Sequence, residues 1–417
     1  MTPRRLLIAL SAAIGAGLLA SFWDDLNPLA RGVLVGALVF AVTGFLLGRM
    51  NRPRAGAPAA DTDMAGRLDL VEGVVADEAR RPWSPSTLPW VDVATAEKPV
   101  LLVPAADYHL AEVVPLAHEL DRIGIPARMA IGPSPWARTW PALAWYADEV
   151  FELPDPERIA DQVAAVVVMK DTGSLGPFVT RCRELGVLTL GKVEGAQDFW
   201  DADTPDARHP YRNLDLVLCQ GRFDMDALAG TETEIVGSTR LERLWWAPPL
   251  TVRAPLAVIN LNFVYGVGTA DRDLWLETAI EGCELAGVPY VISVHPAERS
   301  RLRSGRMTSI SASRILPRAT ALISRFSTMP LEAMARGVPF IYHNPHGETV
   351  KTYSEPQGSF EVTASGTELG DALRAIDPGP EKTRRRVEPF FANFVDTDRA
   401  ARSERRGAEA IGRRLHP

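Results

Sequence analysis

His295 and Pro296 close a β-branched run, Val291-Ile-Ser-Val-His-Pro. Farther along, Ser324, Ser327 and Thr328 fill the gap between an apolar run and a helical stretch that carries Glu332 and stops at Gly337. Hydroxyls and backbone N–H groups gathered at a helix start hold phosphate, because the N–H groups lack partners and the helix dipole favours an anion. An imidazole at a nearby strand end can donate to the same phosphate or carry a proton. Glu332, about one turn into the helix, can accept hydrogen bonds from ribose hydroxyls. A capped helix with Ser327 or Thr328 as N-cap, beside a structural histidine, uses the same residues without chemistry. Two such features on neighbouring strands favour a shared site for a phosphate-bearing donor.

Other residues can face that site. In the first half, Gly191-Lys-Val-Glu-Gly-Ala-Gln-Asp-Phe follows a strand. Glu194 is a candidate general base there if burial raises its pKa, and Gly195 permits close backbone approach; a solvated loop is the competing explanation. Asp171 ends another apolar strand and follows the same edge-of-sheet logic. His343 and His346, in Tyr342-His-Asn-Pro-His-Gly-Glu, either line the cleft or decorate a turn. Their spacing brings no further ligands, so a metal site is not expected. Asp201-Ala-Asp203 falls in a Pro-rich connector, and neither a metal nor another cofactor is assigned to the chemistry.

The elements that must position these residues alternate. Strands are expected at Val100–Pro104, Ala127–Ile131, Glu149–Leu153, Ala164–Met169, Val187–Leu190, Leu214–Cys219 and Glu234–Val236. Helices are expected at His109–Ile123, Ala142–Asp148 and Phe178–Leu185, the first and last ending at Gly124 and Gly186. The second half repeats the alternation: a strand at Leu256–Leu261, a helix at Asp271–Ala286, and strands at Tyr290–Val294 and Ala321–Ile323. Such alternation implies an α/β chain with two Rossmann-like, doubly wound parallel sheets, whose strand C-termini face a cleft. The expected divisions are an N-terminal hairpin (residues 1–50), a linker (51–98), an acceptor-side domain (99–250), a donor domain (251–395) and a terminal amphipathic helix (396–417).

The 417 residues, 46% hydrophobic and 23% charged, suffice for two cores. A net charge of −7 argues against non-specific nucleic-acid binding. The Arg384-Arg-Arg cluster is either a solvated face or a contact for anionic lipid. Cys182, Cys219 and Cys283 have neither disulfide nor zinc spacing and fit a reducing compartment. Leu6–Trp23 and Gly32–Gly48 are free of charge, each close to the roughly 20 residues that cross a bilayer. Arg4 and Arg5 precede the first stretch, and Arg49, Arg52 and Arg54 follow the second, so the positive-inside rule puts both ends in the cytoplasm. The expectation is a two-helix transmembrane anchor with the remainder on the cytoplasmic side.

Taken in order, these motifs resemble the GT-B superfamily, in the branch holding CDP-glycerol glycerophosphotransferases, capsule polysaccharide transferases and UDP-N-acetylglucosamine 2-epimerases. The resemblance spans residues 97 to 415. His295-Pro296 is similar to the branch's His-Pro motif, which contacts donor phosphate, and Ser324, Ser327 and Thr328 to its Ser-rich phosphate loop. Glu332, in Glu-Ala-x-x-x-Gly-x-Pro, resembles the acidic residue that holds the ribose. Gly237 lies in a segment, Ile235 to Leu244, similar to the entry into the interdomain linker, and the final helix resembles one that packs back across the domains. Many members carry His-Gly, with a basic His, where this chain has Glu194-Gly195. The resemblance implies a membrane-anchored transferase that moves a glycosyl or glycerol-phosphate group from a UDP-, CDP- or GDP-linked donor to an envelope polymer or lipid-linked acceptor. The alternatives are a 2-epimerase-like isomerase and a GT-B protein that binds nucleotide without turnover.

Overall fold

The structure, a computed structural model, describes residues 92, 98–131, 150–173, 175–199, 201, 208–248, 254–263, 269–295, 306–353, 355–377, 379–396 and 402–416. Both charge-free stretches, most of the linker, the helix expected at Ala142–Asp148 and Pro296 lie outside these residues. Among the described residues no helix is long and apolar enough to cross a membrane.

The first half comprises β1 (Val100–Val103), α1 (Leu110–Arg122), β2 (Ala127–Ile131), β3 (Val150–Glu152), α2 (Pro156–Ile159), β4 (Ala165–Val168), α3 (Leu175–Glu184), β5 (Leu188–Lys192), β6 (Leu216–Cys219), α4 (Arg222–Ala227), β7 (Thr233–Ile235) and α5 (Thr239–Trp246). The second comprises β8 (Ala257–Leu261), α6 (Arg272–Ala286), β9 (Tyr290–Val294), β10 (Met307–Thr308), α7 (Ala312–Ile315), β11 (Ala321–Ser324), α8 (Met329–Ala335), β12 (Phe340–His343), β13 (Glu361–Thr363), α9 (Gly366–Ala375), α10 (Pro380–Phe391) and α11 (Ser403–Leu415).

All neighbouring strands run parallel, in the orders β3-β2-β1-β4-β5-β6-β7 and β10-β9-β8-β11-β12-β13. Each order reverses direction beside its first strand, between β1 and β4 and between β8 and β11. At such a switch point the loops on either side diverge and leave a crevice at the strand C-termini. The crevice-forming segments here follow Val103, Val168, Leu261 and Ser324.

The strands are continuous apolar runs because helices cover both faces of each sheet. Leu102, Val167 and Leu218 pack with Val113, Leu120, Ala408 and Ile411 on the α1/α11 face, and Leu101, Val166 and Val217 with Ile159, Val179 and Cys182 on the other. In the second sheet, Val258, Leu322 and Tyr342 pack with Leu331, Phe391 and Trp245, while Ile259, Ile323 and Ile341 pack with Trp275, Ala279 and Leu369. Each large aliphatic side chain removed from water this way contributes about 1.5–3 kcal/mol.

The terminal helix crosses back to the first half. Its small residues Gly407, Ala408 and Ala410 let it lie against α1, and Arg414 pairs with Glu232 beside β7 at 3.2 Å. The arginine cluster meets neither of its expected roles fully. Arg384 donates to the carbonyls of Ala335, Leu244 and Ala247, tying α10 to α5 and α8, and Arg386 binds the Gly358 carbonyl and Glu361. All three cysteines are free and buried.

Candidate active site

The segment after β5 and the segment after β11 touch. A Cβ on Gly195 would collide with Thr328 Oγ1 and Gln197 Oε1, so only glycine permits this approach. Thr328 donates its hydroxyl proton to Gln197 Oε1, and Thr352 donates to the Ala196 carbonyl at 3.3 Å. The strand ends of both sheets therefore meet through Glu194–Phe199 on one side and Ser324–Glu332 on the other.

On the first side, Glu194 is almost wholly buried, with Tyr108, Gln197 and His109 around its carboxyl. Tyr108 donates to Oε1, Gln197 Nε2 donates to Oε1 at 3.0 Å, and His109 Nε2 lies 3.3 Å from Oε2. The Ala105 N–H donates to His109 Nδ1 at 2.9 Å, which fixes the ring proton on Nε2, toward Glu194. Burial alone would raise the Glu194 pKa; His109 and Tyr108 outweigh it and hold the carboxyl down to about 2. The condition on which Glu194 was a candidate general base, a pKa raised by burial, is therefore not met, and the carboxyl is held in its ionised form.

The loop beneath is held by Tyr211. Its hydroxyl accepts from the Glu194 N–H at 3.0 Å and lies 2.9 Å from the Met169 carbonyl and 2.6 Å from Asp198 Oδ2. Tyr211 has φ of +65°, an unfavourable setting for a tyrosine, and Asp171 Oδ1 accepts its N–H at 2.8 Å. Asp171 therefore secures the turn that carries Tyr211; burial raises its pKa.

On the second side, register places Ser293, Asn260 and Ser324 side by side on β9, β8 and β11. Asn260 Nδ2 donates to Ser324 Oγ at 3.0 Å and reaches Ser327 Oγ at 3.5 Å. Ser327 Oγ accepts the Met329 N–H at 3.1 Å, and Tyr353 donates to the Ser327 carbonyl at 2.5 Å. Thr328 makes no side-chain cap, having turned to Gln197. His295 is half-buried at the end of β9, and its N–H donates to the Leu261 carbonyl at 3.2 Å.

Glu332 is buried, with Arg240 Nη1 donating to Oε1 at 2.5 Å and Ser313 donating to Oε2. Arg240 comes from α5, whose start is fixed by Glu112 on α1: that carboxylate accepts the N–H groups of Thr239 and Arg240, each at 3.0 Å, and the Ser238 hydroxyl. Lys192 Nζ lies 3.2 Å from Glu112 with both side chains buried, and donates to the Gly237 carbonyl at 3.0 Å. The Arg240 guanidinium also stands 5.8 Å from the Tyr108 ring centroid, so one side chain bridges the two walls.

Two expected cleft residues, Gly237 and His343, lie elsewhere, while His346 stays beside the segments that follow β8 and β11. Gly237 (φ +86°) packs against Ser403, Glu242 and Arg406, at the joint between α5 and α11. His343 projects to the opposite face of its sheet, with Thr278 Oγ1 2.8 Å from Nε2 and Thr363 Oγ1 2.9 Å from Nδ1. Burial, aided by His346, lowers its pKa to about 4, so the ring is a neutral core group. His346 Nε2 lies 3.0 Å from Glu348 Oε2, within a cluster in which Glu348 also accepts from Arg325 and Tyr342. Arg325 follows Ser324 directly, and that carboxylate already meets its charge. Among the described residues no group of three metal-ligating side chains occurs.

No family model matches the sequence, and no curated protein matches it. Solved structures do match. A UDP-N-acetylglucosamine 2-epimerase candidate from Listeria monocytogenes aligns at TM-score 0.53 and 13% identity, over 76% of this chain and 95% of that one. The chain has a GT-B fold. The UDP-GlcNAc 2-epimerase of Methanocaldococcus jannaschii, in complex with UDP-GlcNAc and UDP, aligns at 0.51 and 12% identity, over 77% and 100% of the two chains. A variant of the wall teichoic acid polymerase TagF aligns at 0.50 and 10% identity, over 76% and 88%. At these identities the likeness concerns the GT-B fold alone.

Residues that sequence reasoning missed supply much of the geometry: Tyr108, His109, Gln197 and Asp198 around Glu194, and Asn260 and Arg240 on the other wall. Asn260 carried a signal, being a lone amide inside the apolar strand Ala257-Val-Ile-Asn-Leu.

Proposed function

We propose that the chain is a transferase that binds a UDP-, CDP- or GDP-linked donor on the Ser324–Glu332 side. It passes a glycosyl or glycerol-phosphate group to a lipid-linked acceptor or envelope polymer on the Glu194 side. The observation that carries this reading is the meeting of the two walls at Gly195 and Thr328, which leaves donor hydroxyl ligands and an ionised carboxylate on facing loops. The nucleotide complex of the epimerase neighbour and the polymer named for the TagF neighbour agree in kind with such a donor and acceptor.

In this reading Ser324, Ser327, Thr328 and His295 hold the donor phosphates, and Glu332 takes the ribose hydroxyls in exchange for part of its bond to Arg240. The acceptor hydroxyl attacks the donor carbon or phosphorus, the bond to the leaving phosphate breaks, and the nucleotide departs with the electron pair. Hydrogen bonds to that phosphate stabilise the growing charge. Glu194 is too weak a base to remove the hydroxyl proton before attack. Its Oε2, beside the His109 edge, accepts the hydroxyl hydrogen bond, orients the oxygen and takes the proton as the new bond forms and the oxygen becomes strongly acidic. The two N-terminal charge-free stretches anchor the chain in the membrane with the catalytic part on the cytoplasmic face.

A 2-epimerase-like activity is the second reading, after the epimerases of Listeria monocytogenes and Methanocaldococcus jannaschii named above. Incubating the full-length protein in membranes with UDP-, CDP- and GDP-linked donors separates them. Transfer releases nucleotide and labels a lipid or polymer fraction; epimerisation leaves an isomeric donor and free UDP only as a side product. Absence of both would refute the enzyme reading.

A further inference from the structure

We infer that Asp198 is held as a neutral carboxylic acid, donating its proton to Tyr211 and serving as a positioning residue for the Glu194 loop. Counting protons around the Tyr211 hydroxyl leads there. The oxygen accepts one hydrogen bond, from the Glu194 N–H, and stands within hydrogen-bond distance of two oxygens, Met169 O at 2.9 Å and Asp198 Oδ2 at 2.6 Å. A phenol has a single proton to give. If Asp198 were ionised, one of those two buried acceptors would face the hydroxyl with no hydrogen between them. If Asp198 carries a proton, every contact is made: Asp198 donates to Tyr211, Tyr211 donates to Met169, and the Glu194 N–H donates to Tyr211.

The surroundings agree. Asp198 is 4% exposed, and among the described residues Tyr211 is the only hydrogen-bond partner of its carboxyl. Arg208, one cation nearby, places its guanidinium on the Asp201 carboxylate at 2.8 Å and on the Asp198 main-chain carbonyl at 2.9 Å, and neither Arg208 nor Lys170 is hydrogen-bonded to the Asp198 carboxyl. The other charged or titratable groups facing Asp198 are Glu194, Lys170 and Tyr211. Glu194 is already ionised, and two unpaired carboxylates so close in a buried loop repel. Burial and then the Glu194 charge push the Asp198 pKa up to about 8. The pair thus carries one negative charge, on Glu194, and the Asp198 proton locks the peptide that presents it.

Infrared difference spectroscopy on the full-length protein tests this. Wild type minus Asp198→Asn at neutral pH is expected to show a carboxylic-acid C=O band that fades as the pH passes about 8. Wild type minus Glu194→Gln is expected to show ionised-carboxylate bands and no acid band. Asp198→Asn should fold at neutral pH, because its amide N–H replaces the acid proton toward Tyr211, whereas Asp198→Ala removes that donor and should unfold at lower denaturant. A wild-type protein with no acid band at neutral pH, or a band that survives in Asp198→Asn, would overturn the assignment. So would an Asp198→Asn chain that does not fold. No substrate enters this readout, so failure of the transferase reading would leave it standing.

Discussion

His109 Nε2 lies 3.3 Å from Glu194 Oε2, so a histidine from the loop after β1 abuts a carboxylate from the loop after β5. The His109 Nδ1 accepts the Ala105 N–H, which leaves an Nε2 hydrogen facing the carboxylate, and with Tyr108 the histidine stabilises the charged form of Glu194. The native pKa lies below the ordinary value of 4.5, so the unfolded state binds more protons as pH falls from about 4.5 toward 2. The stabilisation is present above that window and lost through it. Denaturant midpoints measured against pH should therefore fall less steeply for Glu194→Gln than for wild type in this range. Equal slopes would show that Glu194 is not held as described.

Gly195→Ala places a methyl group against Thr328 Oγ1 and Gln197 Oε1. The neighbours must shift, at a cost of about 1–3 kcal/mol. Chemical denaturation should register that loss, and any nucleotide affinity should weaken as Thr328 moves. An alanine variant of wild-type stability would mean that the walls do not approach so closely.

Glu112 and Lys192 form a buried pair that fixes the start of α5 and hence Arg240. Removing one charge strands the other, which costs about 3–5 kcal/mol. Glu112→Gln should be destabilised by roughly that amount in equilibrium unfolding, and a loss below about 1 kcal/mol would contradict the pairing.

His343 is a buried neutral ring between two threonines. Its native pKa is lowered from 6.5 to about 4, so on acidification the unfolded chain takes up the proton first. Stability should drop as pH falls from about 6.5 to 4, a window above that of Glu194. His343→Gln should flatten that part of the curve, and an unchanged slope would refute the neutral assignment.

The fold was largely legible because buried parallel strands are apolar runs and helices stop at glycine. Tyr290–Val294 occurs as expected, and the helices ending near Gly124 and Gly287 differ from expectation by a residue or so. The short edge strands Met307–Thr308 and Glu361–Thr363 went unrecognised, since neither is long or apolar enough to stand out. Strand periodicity also held an unused clue. Phe340 and Tyr342 share one face of β12, so His343 had to lie on the other, away from Tyr342. What surrounds Glu194 was not legible: Tyr108, His109 and Tyr211 reach it through tertiary packing from other loops, and no local pattern encodes that meeting. The same holds for Arg240 and Glu332.

The proposed transfer requires a nucleotide-donor site in the second half. Titrating full-length wild type and Glu332→Gln with UDP-, CDP- and GDP-linked donors by calorimetry tests it most directly. One donor class should bind wild type and lose about tenfold or more in affinity in Glu332→Gln, equivalent to roughly 1.4 kcal/mol. Absence of binding by every donor, or equal binding by both proteins, would contradict it.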